Sequence, residues 1–147
     1  MMTDGAREAI EILREYRQLE LRREELRERI ARLIEGGTRT TPSMTAASGG
    51  GTGAYSKVEN AAIEIIDLTS QIDTEIQRLS SRCWVIQDAI NGIRNERYKR
   101  LLELRYIDGL RWRDVNARLY ISRQHSTKLH AEALHAFYIS YKNIESQ

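Results

Sequence analysis

The chain has 147 residues, which leaves room for one domain or two small ones and makes a large enzyme fold a poor candidate. Apolar residues make up 41% of the chain, charged residues 30% and aromatic residues 7%, a composition that is typical of long solvated helices and argues against an all-β sandwich. The net charge is only +2, but residues 95–147 carry 10 basic and 6 acidic side chains, so we expect any polyanion-binding surface there.

The sequence has no apolar stretch of about 20 residues and no signal peptide at its N-terminus. We therefore expect a cytoplasmic protein without a membrane partner. Cys83 is the single cysteine, which excludes an internal disulfide and a multi-cysteine zinc site.

The first predicted element is a coiled-coil helix over residues 1–35. Apolar residues recur there at alternating steps of four and three, which is a heptad seam interrupted by one arginine. The seam consists of Ile12, Tyr16, Leu19, Arg23, Leu26, Ile30 and Leu33. The pair Gly36 and Gly37 occupies a C-cap position, so we expect the helix to end near Glu35.

Residues 36–56 are predicted to be a flexible linker. The run GGTRTTPSMTAASGGGTG contains almost no apolar residues and follows the period of neither a helix nor a strand.

A second coiled-coil helix is predicted over residues 57–94, because the heptad pattern resumes at Val58 and continues to Ile93. The two helices would be roughly 40 and 50 Å long, which favours an antiparallel hairpin. One partner helix does not cover so long a seam, so we expect this segment to form a homo-oligomer. Trp84, beside the seam, is a candidate contact with another copy.

Residues 95–147 show a different pattern. A short apolar helix over 101–107 ends at Gly109, a second short helix spans 112–119, and Ser122 is placed to cap a longer helix. This order is typical of a helix-turn-helix, whose second helix enters the major groove of DNA. The whole chain is thus predicted to be all-α.

The run LLELRYIDGLRWRDVNARLYISRQHSTKLHAEAL, residues 101–134, resembles region four of bacterial sigma factors. The usual form of that region is an apolar helix, then Y-x-x-G-L-[ST]-[WY]-x-[DE]-I-A, a turn, and [IV]-[ST]-R at the start of the recognition helix. With the charged front half, the chain resembles phage-encoded sigma-region-four-like regulators related to the ArpU and RinA late-transcription activators. The resemblance implies a non-enzymatic phage or prophage regulator that binds promoter DNA.

Four residues depart from that pattern. Arg111 replaces a capping Ser or Thr, Asn116 a small alanine, Tyr120 the usual turn glycine, and Ser126 an aliphatic core residue. A tyrosine fits the turn only if it stays out of positive φ. Together the four changes are expected to lower stability or to alter the angle between the two helices.

The resemblance places four residues, Arg123, Gln124, Thr127 and Lys128, on the groove-facing side of the recognition helix. In all, seven residues are predicted to contact double-stranded DNA. They are Arg111, Arg113, Ser122, Arg123, Gln124, Thr127 and Lys128. Arg123 can pair bidentately with guanine and Gln124 with adenine, while the others can hold phosphates or base edges. Arg113 has an alternative role, an ion pair with Asp114 or Glu103.

No catalytic, cofactor or metal site is predicted. The three histidines His125, His130 and His135 are five residues apart, so successive side chains are rotated by about 140° and do not converge on one ion. We expect His130 to pack or hydrogen-bond at the helix surface.

Two other functions remain open for this sequence. A small terminase subunit would use the same elements in a ring that recognises viral DNA for packaging. An interaction protein would bind host RNA polymerase, a further candidate partner, without binding DNA.

Overall fold

The computed structural model describes residues 2–47 and 52–147, and within these ranges it contains helices and turns but no strand. The helices are α1 Asp4–Ala47, α2 Thr52–Asn91, α3 Glu96–Leu102, α4 Trp112–Leu119 and α5 Arg123–Glu145, with a π-helical segment, Glu103–Ile107, after α3. The prediction of an all-α chain is confirmed for these residues.

Both long helices extend farther than the sequence predicts. The helix α1 ends at Ala47 rather than near Glu35, and α2 begins at Thr52 rather than at residue 57. A glycine pair permits a helix end but does not force one, because glycine adopts helical as well as left-handed dihedral angles. Of the predicted linker 36–56, residues 48–51 lie outside the described part of the chain.

The chain divides into two compact units that do not follow the predicted segments. The first unit contains Met1–Glu20 and Ser80–Gln147, and the second contains Leu21–Leu79. The predicted boundary between residues 94 and 95 therefore lies inside the first unit. Heptad spacing shows which face of a helix is apolar, but it does not show which partner covers each stretch of that face.

The first unit is built around one apolar core to which all of its helices contribute. Its fully buried side chains include Leu13 of α1, Ile86 of α2, Leu101 of α3, Val115 of α4 and Phe137 of α5. Burying a side chain of this size stabilises the fold by roughly 1.5–3 kcal/mol. The beginning of α1 and the predicted DNA-binding segment thus share a single core.

Polar contacts also join α1, α2 and α5 in the first unit. Arg82 of α2 donates from Nε and Nη2 to the two carboxylate oxygens of Glu15, at 3.2 and 3.0 Å. Its Nη1 donates to the hydroxyl of Tyr141 on α5. Lys142 of α5 lies 3.0 Å from the carboxylate of Glu8. Because the Arg82 contact is bidentate, it holds α1 and α2 in a defined geometry.

The second unit contains the C-terminal part of α1 and the N-terminal part of α2. Its buried seam residues are Leu26, Ile76 and Leu79. Its exposed large apolar residues are Leu21, Ile34, Ile63, Ile66 and Leu68. The pKa of Glu75 lies below its ordinary value, first because Arg78 donates to the carboxylate and also because Arg22 of α1 is nearby. The two helices therefore lie side by side in this unit.

Candidate nucleic-acid interface

The segment that precedes α4 is shaped by a helix cap and a left-handed glycine. The side chain of Asn95 caps α3 by accepting hydrogen bonds from the backbone N–H groups of Arg97 and Tyr98, at 2.9 and 3.3 Å. After the π-helical segment, Gly109 has φ +73°. Residues with a side chain rarely adopt this conformation. The predicted break at Gly109 is confirmed.

The helix α4 has its predicted bounds and begins without a side-chain cap. Arg111 occupies the N-cap position with an extended backbone, but its side chain makes no capping hydrogen bond. The reason is chemical, since a cap must accept from a backbone N–H and arginine offers only donors. Val115 is buried and anchors α4 to the core.

The turn between α4 and α5 is left-handed at a residue other than glycine. Tyr120 has φ 56° and ψ 45°, and its side chain is 95% exposed. The expectation that a tyrosine would stay out of positive φ here is therefore wrong. The backbone N–H of Ile121 donates to the carbonyl oxygen of Asn116 at 3.1 Å, and that of Tyr120 donates to the carbonyl oxygen of Ala117 at 3.4 Å. This pair of bonds is a Schellman ending, in which the residue after the helix, here Tyr120, is left-handed. For a residue with a side chain this geometry costs about 1–2 kcal/mol.

The helix α5 begins with its predicted cap. The hydroxyl oxygen of Ser122 accepts a hydrogen bond from the backbone N–H of His125 at 3.1 Å. Ser126 is buried and donates from Oγ to the carbonyl oxygen of Arg123 at 3.0 Å. A serine thus replaces the expected aliphatic residue without leaving its hydroxyl unpaired. Leu129 is buried on the same face of α5, as predicted.

All seven residues predicted to contact DNA are exposed. They are Arg111, Arg113, Ser122, Arg123, Gln124, Thr127 and Lys128. Within the described part of the chain, Arg113 forms no ion pair with Asp114 or Glu103. The seven side chains therefore lie on the surface around the starts of α4 and α5.

A groove of about 670 Å³ lies between α4 and α5. Three of the predicted residues line it, namely Arg113, Arg123 and Thr127. Five residues that the sequence did not assign to DNA also line it, namely Trp112, Asn116, Ile121, Ser126 and His130. Cationic, aromatic and amide side chains thus share one groove.

His130 connects this groove to an aromatic cluster. Its Nε2 lies 2.7 Å from the hydroxyl of Tyr106, and its ring meets Trp112 edge-on with 4.5 Å between the ring centres. Burial, together with the nearby Arg105 and Arg14, lowers the pKa of His130 to about 4. The imidazole is therefore neutral at pH 7. It packs and hydrogen-bonds, as predicted, and does not supply a positive charge.

Asn116 carries a buried polar atom. Its Oδ1 is buried and accepts no hydrogen bond from any described residue. Leaving a buried acceptor unpaired costs about 1–3 kcal/mol. We expected Asn116 in place of alanine to lower the stability of the protein. The unpaired Oδ1 atom is a specific source of that loss.

Arg105 supports the start of α4 and was missed in the sequence. Its Nη1 donates to the carbonyl oxygen of Leu110 at 2.9 Å, and its guanidinium lies 5.0 Å from the centre of the Trp112 ring. A cation–π contact of this kind contributes about 0.5–2 kcal/mol. No local pattern in the sequence indicates this contact, because it depends on how the turn at Gly109 folds back.

A family model described as "Protein of unknown function (DUF722)" matches residues 9–136. The chain belongs to this family. No curated protein and no solved structure matches it.

The segment shared with the DUF722 family includes part of every helix, from α1 to α5, and all seven predicted contact residues. Among the described residues of this family member, no three His, Cys, Asp or Glu side chains are grouped so that they could hold a metal ion. Within the same residues, no helix combines the length and the apolar character that a membrane crossing requires.

Proposed function

We propose that this chain is a sequence-specific DNA-binding regulator of phage or prophage transcription, in which α4, the turn and α5 act as a sigma-like helix-turn-helix at promoters. The observation that carries the proposal is the exposed start of α5. It presents Arg123, Gln124 and Lys128, and its first turn contains no acidic residue. A helix N-terminus without a carboxylate attracts phosphate, because the positive end of the helix dipole is not neutralised.

In this proposal the first residues of α5 recognise the bases. Arg123 is suited to O6 and N7 of guanine, and Gln124 to N6 and N7 of adenine. The hydroxyl of Thr127 already donates to the carbonyl oxygen of Arg123 at 3.0 Å. Its oxygen is therefore left as an acceptor, which suits a base amino group better than a phosphate.

The remaining predicted residues contact the phosphates of the DNA backbone in this proposal. Arg111 and Arg113 are exposed at the start of α4, and Lys128 is exposed one turn into α5. The hydroxyl oxygen of Ser122 accepts a backbone hydrogen bond, so its O–H remains able to donate to a phosphate. Contacts of this kind set the position of the protein on the duplex without reading sequence.

The second unit is proposed to be an antiparallel coiled-coil hairpin that joins copies of the chain. Its large exposed apolar residues are Leu21, Ile34, Ile63, Ile66 and Leu68. Apolar surface of this kind favours association in water, and heptad seams associate with one another. A two-fold dimer would present two recognition helices, so its DNA site should contain two half-sites.

Selection of DNA fragments on the full-length protein tests the DNA-binding proposal. We expect fragments of phage and host genomes that share one motif to be enriched, and Arg123→Ala to lose this enrichment. Arg29→Ala is the matched control, since Arg29 is an exposed arginine of α1 outside the proposed interface. The proposal would be contradicted if the enriched fragments shared no motif and if the protein retained DNA no more strongly than it retains heparin.

The mass of the full-length assembly in solution distinguishes a transcription regulator from a small terminase subunit. A dimer supports the regulator, whereas a ring of many copies that retains packaging DNA supports a small terminase subunit instead. Retention of host RNA polymerase in the absence of any DNA binding would support an interaction protein.

A further inference from the structure

A second and smaller depression lies in the first unit, and three of the five residues that line it are arginines. It has a volume of about 210 Å³, and its lining includes Arg14 and Arg17 of α1 and Arg105 of the π-helical segment. Tyr106 and Gly109 complete the lining. None of these five residues is among the predicted DNA contacts.

Backbone contacts hold two of the three guanidinium groups in place. Arg17 donates from Nη1 to the carbonyl oxygen of Ile107 at 3.2 Å, and Arg105 donates to the carbonyl oxygen of Leu110 at 2.9 Å. Arg17 also lies against Gly109, where a Cβ atom would be only 2.5 Å from Nη1. Each guanidinium has five N–H donors, so most of the donors remain available for a ligand.

Among the described residues, no carboxylate forms an ion pair with Arg14, Arg17 or Arg105. Arg82 of the same unit, in contrast, forms an ion pair with Glu15. Three like charges around one cavity repel each other, and a bound anion would remove that repulsion.

The arginines of this depression also act on two neighbouring titratable groups. Burial raises the pKa of Tyr106, while Arg105 and Arg14 act to lower it. The same two arginines add to the depression of the pKa of His130. The positive potential therefore extends from the depression to the aromatic cluster behind the DNA-binding groove.

We propose that Arg14, Arg17 and Arg105 form a binding pocket for a single phosphate group, and that the phosphate belongs to the backbone of bound DNA. The choice of a phosphate rests on chemistry, because the guanidinium fork matches phosphate oxygens and the volume is below the range of about 300–1,000 Å³ that larger organic ligands occupy. The choice of DNA rests on the proposed function and on position. Arg105 stacks on Trp112, the first residue of α4, beside the proposed phosphate contact Arg111.

Salt-dependent DNA binding by the full-length protein is the first arm of the test. Arg14→Gln is the cleanest variant, since Arg14 is exposed and the lost charge is its main contribution. We expect the slope of log affinity against log salt to fall by about 0.9, and affinity to fall roughly fivefold at about 0.15 M salt. Arg17→Gln should behave alike, and Arg29→Gln, with the same change of net charge, should bind as wild type does.

Thermal unfolding in sodium phosphate and in sodium chloride at equal ionic strength is the second arm. A ligand that binds only the folded state raises the unfolding temperature. If inorganic phosphate stabilises wild type and Arg29→Gln but not Arg14→Gln, the pocket binds phosphate. If the slope of log DNA affinity against log salt is then unchanged in Arg14→Gln, the pocket takes free phosphate and not the DNA backbone.

The two arms separate failure of the pocket from failure of the proposed function. If wild-type protein binds no duplex DNA, the proposed function fails, and the phosphate arm alone decides about the pocket. If Arg14→Gln and Arg17→Gln match Arg29→Gln in both arms, the pocket proposal is overturned whether or not DNA binds.

Discussion

The hydroxyl of Tyr106 lies 2.7 Å from Nε2 of His130. This contact joins the π-helical segment to α5, and it places a partly buried imidazole against Trp112 at the start of α4. The part of the chain proposed to bind DNA therefore contains a partly buried histidine whose pKa lies below its ordinary value.

The free energy of unfolding should fall as the pH is lowered below about 6.5. The pKa of His130 is about 4 in the folded protein and 6.5 when unperturbed. The folded state thus binds this proton less readily than the unfolded state, so stability is fully present above pH 6.5 and is lost as the pH falls towards 4. Allowing for solvent screening of a partly exposed ring, the loss is about 1–2 kcal/mol.

Urea denaturation at neutral and mildly acidic pH measures this loss. His130→Phe should remove most of the pH dependence, because the titrating group is gone. His125→Gln is the control, since His125 is exposed and its replacement should leave the pH dependence as it is in wild type. A wild-type pH dependence that persists in His130→Phe would show that other groups are responsible.

Replacing Tyr120 by glycine should stabilise the protein. The residue has positive φ and an exposed side chain, so glycine relieves strain and few contacts are lost. We expect a gain of about 0.5–1 kcal/mol, because the greater freedom of glycine in the unfolded chain offsets part of the relief.

Ala117→Gly is the matched control for Tyr120→Gly in urea denaturation. Ala117 is exposed inside α4, where glycine costs about 1 kcal/mol relative to alanine. The two variants should therefore shift the midpoint in opposite directions. A destabilised Tyr120→Gly would mean that the ring makes contacts that outweigh the strain.

Asn116→Ala should also stabilise the protein, by about 1 kcal/mol or more, because it removes a buried acceptor that no described residue satisfies. Part of any gain comes from the higher helix propensity of alanine. Asn143→Ala measures that part alone, since Asn143 is exposed on α5. Equal gains in the two variants would show that the buried Oδ1 carries no cost.

Loss of a base contact should reduce sequence discrimination, whereas loss of a phosphate contact should reduce affinity for every DNA sequence. Arg123→Ala and Gln124→Ala should each lose about 1–3 kcal/mol of discrimination between the selected site and random DNA. Lys128→Ala and Arg111→Ala should weaken binding to both sequences nearly equally, with a salt slope lower by about 0.9. Fluorescence anisotropy over a salt series measures both quantities. Four variants that all bind like wild type would contradict the proposed interface.

Local rules account for much of what the sequence predicted. The cap at Ser122, the break at Gly109 and the bounds of α4 each depend on residues within one or two helical turns. The backbone conformation of Tyr120 could not be predicted from such local rules. Its left-handed conformation is imposed by the packing of two helices, and its own side chain has no preference for it.

The sequence by itself determined the helices, their apolar seams and the exposure of the proposed contact residues, because periodicity and capping are properties of neighbouring residues. Only the tertiary structure decided that the beginning of α1 packs in the same unit as α5 and that Arg17 reaches the carbonyl oxygen of Ile107. Heptad spacing is satisfied by any apolar partner, so it does not identify the partner. The convergence of Arg14 and Arg17 with Arg105 therefore depends on the packing of the shared core, which no local pattern encodes.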